Sequence, residues 1–172
     1  PAVIEFSEVL QFESDKLRLD DNLGKYVILE FWAPTCTASI ASLPHLDAIQ
    51  KKYGERIAVL PISVFPQDRI LGVISGIERL DAVELPLVVD AGKMLSYFPH
   101  SVIPHVVVLD PEGRVVAITG IEDITTANLD RLLSTGESSF RTKEDTRVRL
   151  PKGERLVSGS PEVGNKNIWF QS

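Results

Sequence analysis

From Phe6 to about Gly136 the chain alternates apolar runs with amphipathic stretches. Residues 26–32 (YVILEFW) form a nearly continuous apolar run, the pattern of a central strand covered on both faces. In Thr37–Tyr53, Ile40, Leu43, Leu46, Ile49 and Tyr53 recur at spacings of three and four, which predicts a helix. Pro44 inside it should kink it, and Gly54 should stop it. Residues 57–64 (IAVLPISV) predict a second strand, with Pro61 out of character in it. A helix is predicted over residues 67–80, a short strand over 85–89 and a helix over 91–98. His105–Leu109 and Val115–Thr119 flank the turn signal Asp110-Pro-Glu-Gly-Arg114 and predict a β-hairpin. Residues 125–133 close the body as a helix, with Thr125 or Thr126 as N-cap. Strands separated by helices, then a hairpin and a last helix, predict an α/β sandwich around a central mixed sheet. The expected domain is residues 1–136.

Beyond that point the pattern dissolves. Residues 137–172 are polar, rich in Ser, Gly and Pro, with only short apolar words at 147–150 and 168–170. They carry seven basic and five acidic residues, so this segment is positive while the rest of the chain is acidic. It reads as a linker, a swapped arm or the start of a following domain. The whole chain, 172 residues with net charge −6, has no Lys/Arg-rich run, which argues against nucleic acid as a partner. No apolar run has the length of a membrane-spanning helix. The first residues, PAVIEFSEVL, lack the layout of a signal peptide, which is uninformative in a chain beginning at Pro.

Cys36 is the only cysteine. An internal disulfide and a cysteine-cluster metal site are therefore excluded. Any thiol chemistry needs another molecule's sulfur or a small oxidant. Cys36 lies where the apolar run turns into a helix, so unpaired N–H groups and the helix dipole favour its thiolate. Ser39, one turn further on, can donate its O–H to that thiolate or serve only as a helix-start residue. The bland reading of Cys36 is a small buried hydrophobe. Glu30 is a carboxylate inside an apolar strand, expensive to bury and expected to have a raised pKa unless it reaches a sheet edge or pairs with a lysine. Trp32 is expected in the core, shielding the site. His45 is expected at the surface. His100 and His105 flank Pro104, but no carboxylate or second thiol is spaced to complete a metal site with them, and no metal or cofactor is expected.

The string Glu30-Phe-Trp-Ala-Pro-Thr-Cys-Thr-Ala-Ser39, with Pro44 five positions on and Ile103-Pro104 ahead of the hairpin, resembles the thioredoxin superfamily. The string SVIPHVVVLDPEGRVVAITG and the helix and strand inserted over residues 67–89 are similar to its TlpA-like, redoxin branch. The resemblance covers residues 6–133 and implies a thioredoxin-like sandwich. It implies that Cys36 is the attacking cysteine of a degenerate C-x-x-S motif, that Ser39 stands where the resolving cysteine would be, and that Glu30 matches the buried acid. It also implies a cis bond at Pro104. Thr35, Thr37, Trp32, Ile103 and Pro104 would line a groove for an extended substrate. Thr35 replaces the family's usual tryptophan, making the surface around the thiol more polar.

Without a resolving thiol, dithiol turnover is not expected. The leading expectation is a monothiol redox protein of the thiol-disulfide oxidoreductase or antioxidant type. Its partners would be protein or low-molecular-weight thiols and disulfides, and an external thiol would resolve the adduct. The alternatives are a redox-inactive peptide-binding module and a one-cysteine peroxidase. The last fits less well, because Pro34 and Thr35 immediately precede the cysteine instead of lying several residues ahead. The resemblance implies a periplasmic or envelope-associated setting, with the cytoplasm left open.

Overall fold

The computed structural model describes residues 4–14 and 16–143. The apolar words at 147–150 and 168–170, and most of the polar tail, lie outside these residues. The strands are β1 (Glu5–Phe6), β2 (Val9–Leu10), β3 (Leu17–Arg18), β4 (Tyr26–Phe31), β5 (Ile57–Ile62), β6 (Leu87–Val88), β7 (His105–Leu109) and β8 (Val115–Thr119). The helices are α1 (Thr37–Tyr53), α2 (Gln67–Ile74), α3 (Met94–Tyr97) and α4 (Thr126–Thr135). A six-stranded mixed sheet runs in the order β2-β6-β5-β4-β7-β8, and β1 and β3 pair separately. β4 is parallel to β5 and antiparallel to β7. It therefore lies in the sheet interior, which is why its sequence is apolar almost without break.

Two cores fill the two faces of the sheet. On one face Ile28, Val106 and Val108 pack with Leu43, Leu46 and Ile49 of α1, Ile70 of α2 and Leu129 and Leu132 of α4. On the other, Val27, Leu29, Phe31 and Val107 pack with Met94 of α3, Phe98 and the N-terminal residues Ile4, Phe6, Leu17 and Leu19. Each fully buried aliphatic side chain contributes about 1.5–3 kcal/mol through burial. This is the expected thioredoxin-like sandwich, with α2 and β6 inserted between β5 and the hairpin.

α1 runs unbroken past Pro44, although proline removes the bond that the Ile40 carbonyl would accept from residue 44. Pro61 fits β5 for a positional reason. Ile62 uses its carbonyl on the β4 side, accepting from the Trp32 N–H at 3.0 Å. Alternation then turns the N–H-less side of Pro61 toward β6, whose pairing with β5 begins only at Ile62–Val88.

Several predicted elements are shorter in the structure. The helix predicted over 67–80 stops at Ile74, followed by a 3-10 turn over Glu78–Leu80. Gly76 disfavours its continuation, and the Ser75 hydroxyl bonds back to the Leu71 carbonyl at 2.8 Å. The strand predicted over 85–89 is only Leu87–Val88, since Pro86 cannot donate to a ladder. The helix predicted over 91–98 is only Met94–Tyr97, because residues 94–96 bond three residues back, to the carbonyls of residues 91–93, in a tighter turn than an α-helix. The strand predicted to end at 64 ends at Ile62. α4 starts where expected, Thr125 Oγ1 accepting from the Asn128 N–H at 3.3 Å, and runs on to a left-handed Gly136. In the hairpin turn, Asp110 Oδ1 accepts from the N–H groups of Glu112 and Arg114, and Gly113 takes φ +76°. Residues 137–143, the described part of the polar tail, fold back onto the body, with Phe140 9% exposed in the α1-side core.

Among the described residues no helix is long and apolar enough to cross a membrane.

Candidate active site

β4 delivers the chain to the site at one end of the sheet. Trp32 is buried in the α1-side core, and Cys36 forms the N-cap of α1. The Cys36 N–H donates to the Ala33 carbonyl and its own carbonyl accepts from the Ile40 N–H, both at 3.0 Å. These two bonds lock the cysteine between the loop and the first helical turn. Its side chain is half-buried, while Thr35 and Thr37 on either side are exposed.

Across from the thiol lies the loop before β7. The Ile103–Pro104 peptide bond is cis. Cys36 Sγ lies 4.0 Å from the Ile103 carbonyl oxygen, within reach of an S–H donor. Ser39 is fully buried, and its hydroxyl makes no conventional hydrogen bond among the described residues. That uncommitted O–H is the largest influence holding the Cys36 thiol below its ordinary pKa; the Ser39 and Ala38 N–H groups add to it, and partial burial opposes them. The neutral thiol is thus positioned to point at Ile103, and the thiolate to accept from the α1 turn.

Glu30 lies beneath the site. Its register partners are Pro61 on β5 and Val106 on β7, so it has no sheet edge to reach. It is 0% exposed, and its hydrogen-bond partner among the described residues is a hydroxyl, not a lysine. Burial pushes its carboxyl up to about 8; the Ser42 hydroxyl pulls down and the nearby Cys36 thiolate charge pushes up. Ser42 Oγ is 3.3 Å from Glu30 Oε1 and 2.6 Å from the Ser39 carbonyl oxygen. A hydroxyl has one proton, and the shorter contact takes it. Protonated Glu30 can then donate to Ser42 Oγ, which donates to Ser39. A polar chain runs from the centre of the sheet to the turn that carries the thiol.

The structure brings Cys36, Ser39, Ile103 and Pro104 together, with Glu30 underneath and Thr35 and Thr37 at the rim. Trp32 is buried, its Nε1 without a hydrogen-bond partner among the described residues. The two histidines near Pro104 are elsewhere: the His100 and His105 rings stack at 4.5 Å against Phe31, on the sheet face away from α1. His45 is exposed, its Nε2 2.6 Å from the Ile124 carbonyl oxygen. Among the described residues no three His, Cys, Asp or Glu side chains are grouped to hold a metal ion. Sequence reasoning missed Ser42, whose signal was its place one turn after Ser39. It also missed Lys143, whose Nζ lies 2.6 Å from the carbonyl oxygens of both Val102 and Pro104.

No family model matches the chain. It is 27% identical over 109 residues to the thiol-disulfide oxidoreductase ResA of a Bacillus cereus strain, covering 63% of this chain and 62% of that protein. It is 23% identical over 101 residues to the thioredoxin-like protein YneN of Bacillus subtilis (strain 168), covering 59% of each. The chain thus spans about three fifths of the length of these relatives. Among solved structures, the exposed lipoprotein thioredoxin Etrx1 of Streptococcus pneumoniae superposes with a TM-score of 0.59 at 29% identity, over 69% of this chain and 89% of that one.

Proposed function

Because the chain belongs to the thioredoxin superfamily, on its TlpA-like, redoxin branch, we propose that it is a monothiol redox protein acting through Cys36. The carrying observation is a half-buried lone thiol at the head of α1, held below its ordinary pKa by the Ser39 hydroxyl. In this reading the Cys36 thiolate attacks one sulfur of a partner disulfide. A new S–S bond joins Cys36 to that partner, and the partner's other sulfur leaves as a thiolate. Ser39 cannot attack the adduct. An external thiolate attacks the partner's sulfur in the mixed disulfide, pairs with it in a new disulfide and releases Cys36 reduced. Sulfur oxidation states balance at each step. Substrates are protein or low-molecular-weight disulfides reached across the groove between residues 35–37 and Ile103–Pro104.

The similarity to an exposed lipoprotein thioredoxin supports an envelope-associated setting as part of this proposal.

The test is the pH profile of Cys36 alkylation by iodoacetamide, with incubation in oxidised glutathione. A midpoint well below the ordinary thiol value of about 8.5, and one glutathione per chain by mass, are expected. A midpoint at or above that value with no adduct would overturn the redox reading. A second reading rests on the exposed rim, where Thr35 and Thr37 flank Cys36 and Val102, next to Ile103, is 57% exposed. Here the groove holds an extended peptide without chemistry, and an unreactive thiol in the same experiment favours it.

A further inference from the structure

Residues 137–143 return from the end of α4 along β8 and finish against the loop that faces Cys36. Three contacts fasten this segment. Phe140 is buried in the core. The Arg141 backbone N–H donates to Asp123 Oδ2 at 2.6 Å and its Nε to Oδ1 at 2.8 Å, while Thr119 Oγ1 donates to the same carboxylate at 3.1 Å. The Lys143 N–H donates to the Ile118 carbonyl at 2.9 Å, tying the segment to β8.

Phe140, Arg141 and the Lys143 backbone are enough to anchor the segment. The Lys143 side chain does something separate. Its ammonium donates to the carbonyls of Val102 and Pro104, 2.6 Å from each. Those carbonyls bracket Ile103, whose own carbonyl lies 4.0 Å from Cys36 Sγ. Two charge-assisted bonds therefore grip both ends of a three-residue stretch that lies outside regular structure.

We propose that Lys143 is a positioning residue of the Cys36 site, and that residues 137–143 form a strap fixing the Val102–Pro104 backbone where an extended disulfide substrate must lie. This rests on the monothiol reading of Cys36. The named influences on the thiol come from the first turn of α1 and from burial, so the part proposed for Lys143 is placement of the facing loop.

The experiment compares the full chain with its Lys143→Met and Lys143→Arg variants. The first probe is iodoacetamide, which needs only the thiolate. The second is an extended peptide carrying a thionitrobenzoate mixed disulfide, from which attack by Cys36 releases coloured thionitrobenzoate. Lys143→Met is expected to slow the peptide reaction about tenfold while the alkylation rate and its pH midpoint stay within about twofold. Lys143→Arg, which keeps the charge and donors, is expected to restore the peptide rate. An unchanged peptide rate, or equal loss with both probes, would overturn the proposal. If the wild-type chain reacts with no disulfide, the monothiol reading fails by itself. Amide exchange then tests the strap: Lys143→Met should speed exchange in residues 101–105 and leave β4 unchanged, and equal exchange rules the clamp out.

Discussion

Replacing Glu30 with Gln tests the buried carboxyl that organises the site from below. In the folded chain burial pushes this carboxyl from its ordinary 4.5 up to about 8. In the unfolded chain it titrates near the ordinary value. Between those two values the folded state holds a proton that the unfolded state has lost, so rising pH favours unfolding. The associated stability is fully present below about 4.5 and is lost as pH rises through about 8. The gap of about 3.5 units, at ~1.4 kcal/mol per unit, sets a ceiling of ~5 kcal/mol. About 3–4 kcal/mol of that falls between about pH 5 and pH 8. Gln keeps the shape and does not titrate. Urea unfolding of both proteins, followed by far-ultraviolet circular dichroism in steps from about pH 5 to 9, isolates this group together with its coupling to the Cys36 thiol, because the remaining titrations are shared. The wild-type curve is expected to fall relative to the variant by roughly 4 kcal/mol across the window. Parallel curves would refute the reasoning, since they would mean that Glu30 is ionised in the folded chain at neutral pH.

Ser39→Ala removes the hydroxyl that favours the Cys36 thiolate, so its alkylation profile should move to higher pH, with slower reaction near neutrality and equal rates once the thiol is fully ionised. Ser39→Cys places two thiols one helical turn apart, within the roughly 4.4–6.8 Å between Cα atoms that a disulfide spans. Mild oxidation should then remove both thiols, and insulin reduction with dithiothreitol should rise above the wild-type background; a folded variant that never closes the bridge would break the correspondence of residues 36 and 39 with a dithiol motif. Leu46→Ala opens a cavity where α1 meets the sheet and should lower stability by about 2–5 kcal/mol in urea unfolding, against little change if α1 does not pack there.

The sheet centre and α1 were legible because each carries a pattern that only one structure satisfies. β4 is apolar along its whole length but for Glu30, and α1 repeats its apolar residues at helical spacing. The two-residue strands β1, β2, β3 and β6 were legible poorly or not at all, since two residues display no periodicity. The helix predicted over 67–80 ends early because Ser75 and Gly76 stop it, and only a 3-10 turn follows at Glu78–Leu80. At the site, the acid in the apolar run and the thiol ahead of a helix were visible. The sequence left open whether Glu30 reached a sheet edge, and strands on both sides of β4 answer that. Lys143 carried no signal, being 39 residues from Pro104 in a segment whose composition reads as a tail.

The exchange of a thiol for a hydroxyl at residue 39 changes what the acid beneath it can do. A second thiol there would need a base, and Glu30 could take its proton. Ser39 offers no proton that a carboxylate could remove at ordinary pH. What remains between Glu30 and Cys36 is charge repulsion, which raises the carboxyl when the sulfur is a thiolate. Burial holds Glu30 protonated up to about pH 8 and the thiolate charge adds to that, so its O–H can rest on Ser42 while Ser42 bonds to the Ser39 carbonyl. Forming a mixed disulfide turns Cys36 neutral and removes that repulsion. The carboxyl should then give up its proton more readily in the adduct than in the reduced thiolate form. Burial, the largest influence, is unchanged, so the carboxyl falls only part of the way; wherever it ionises, it would draw the single Ser42 proton away from the Ser39 carbonyl.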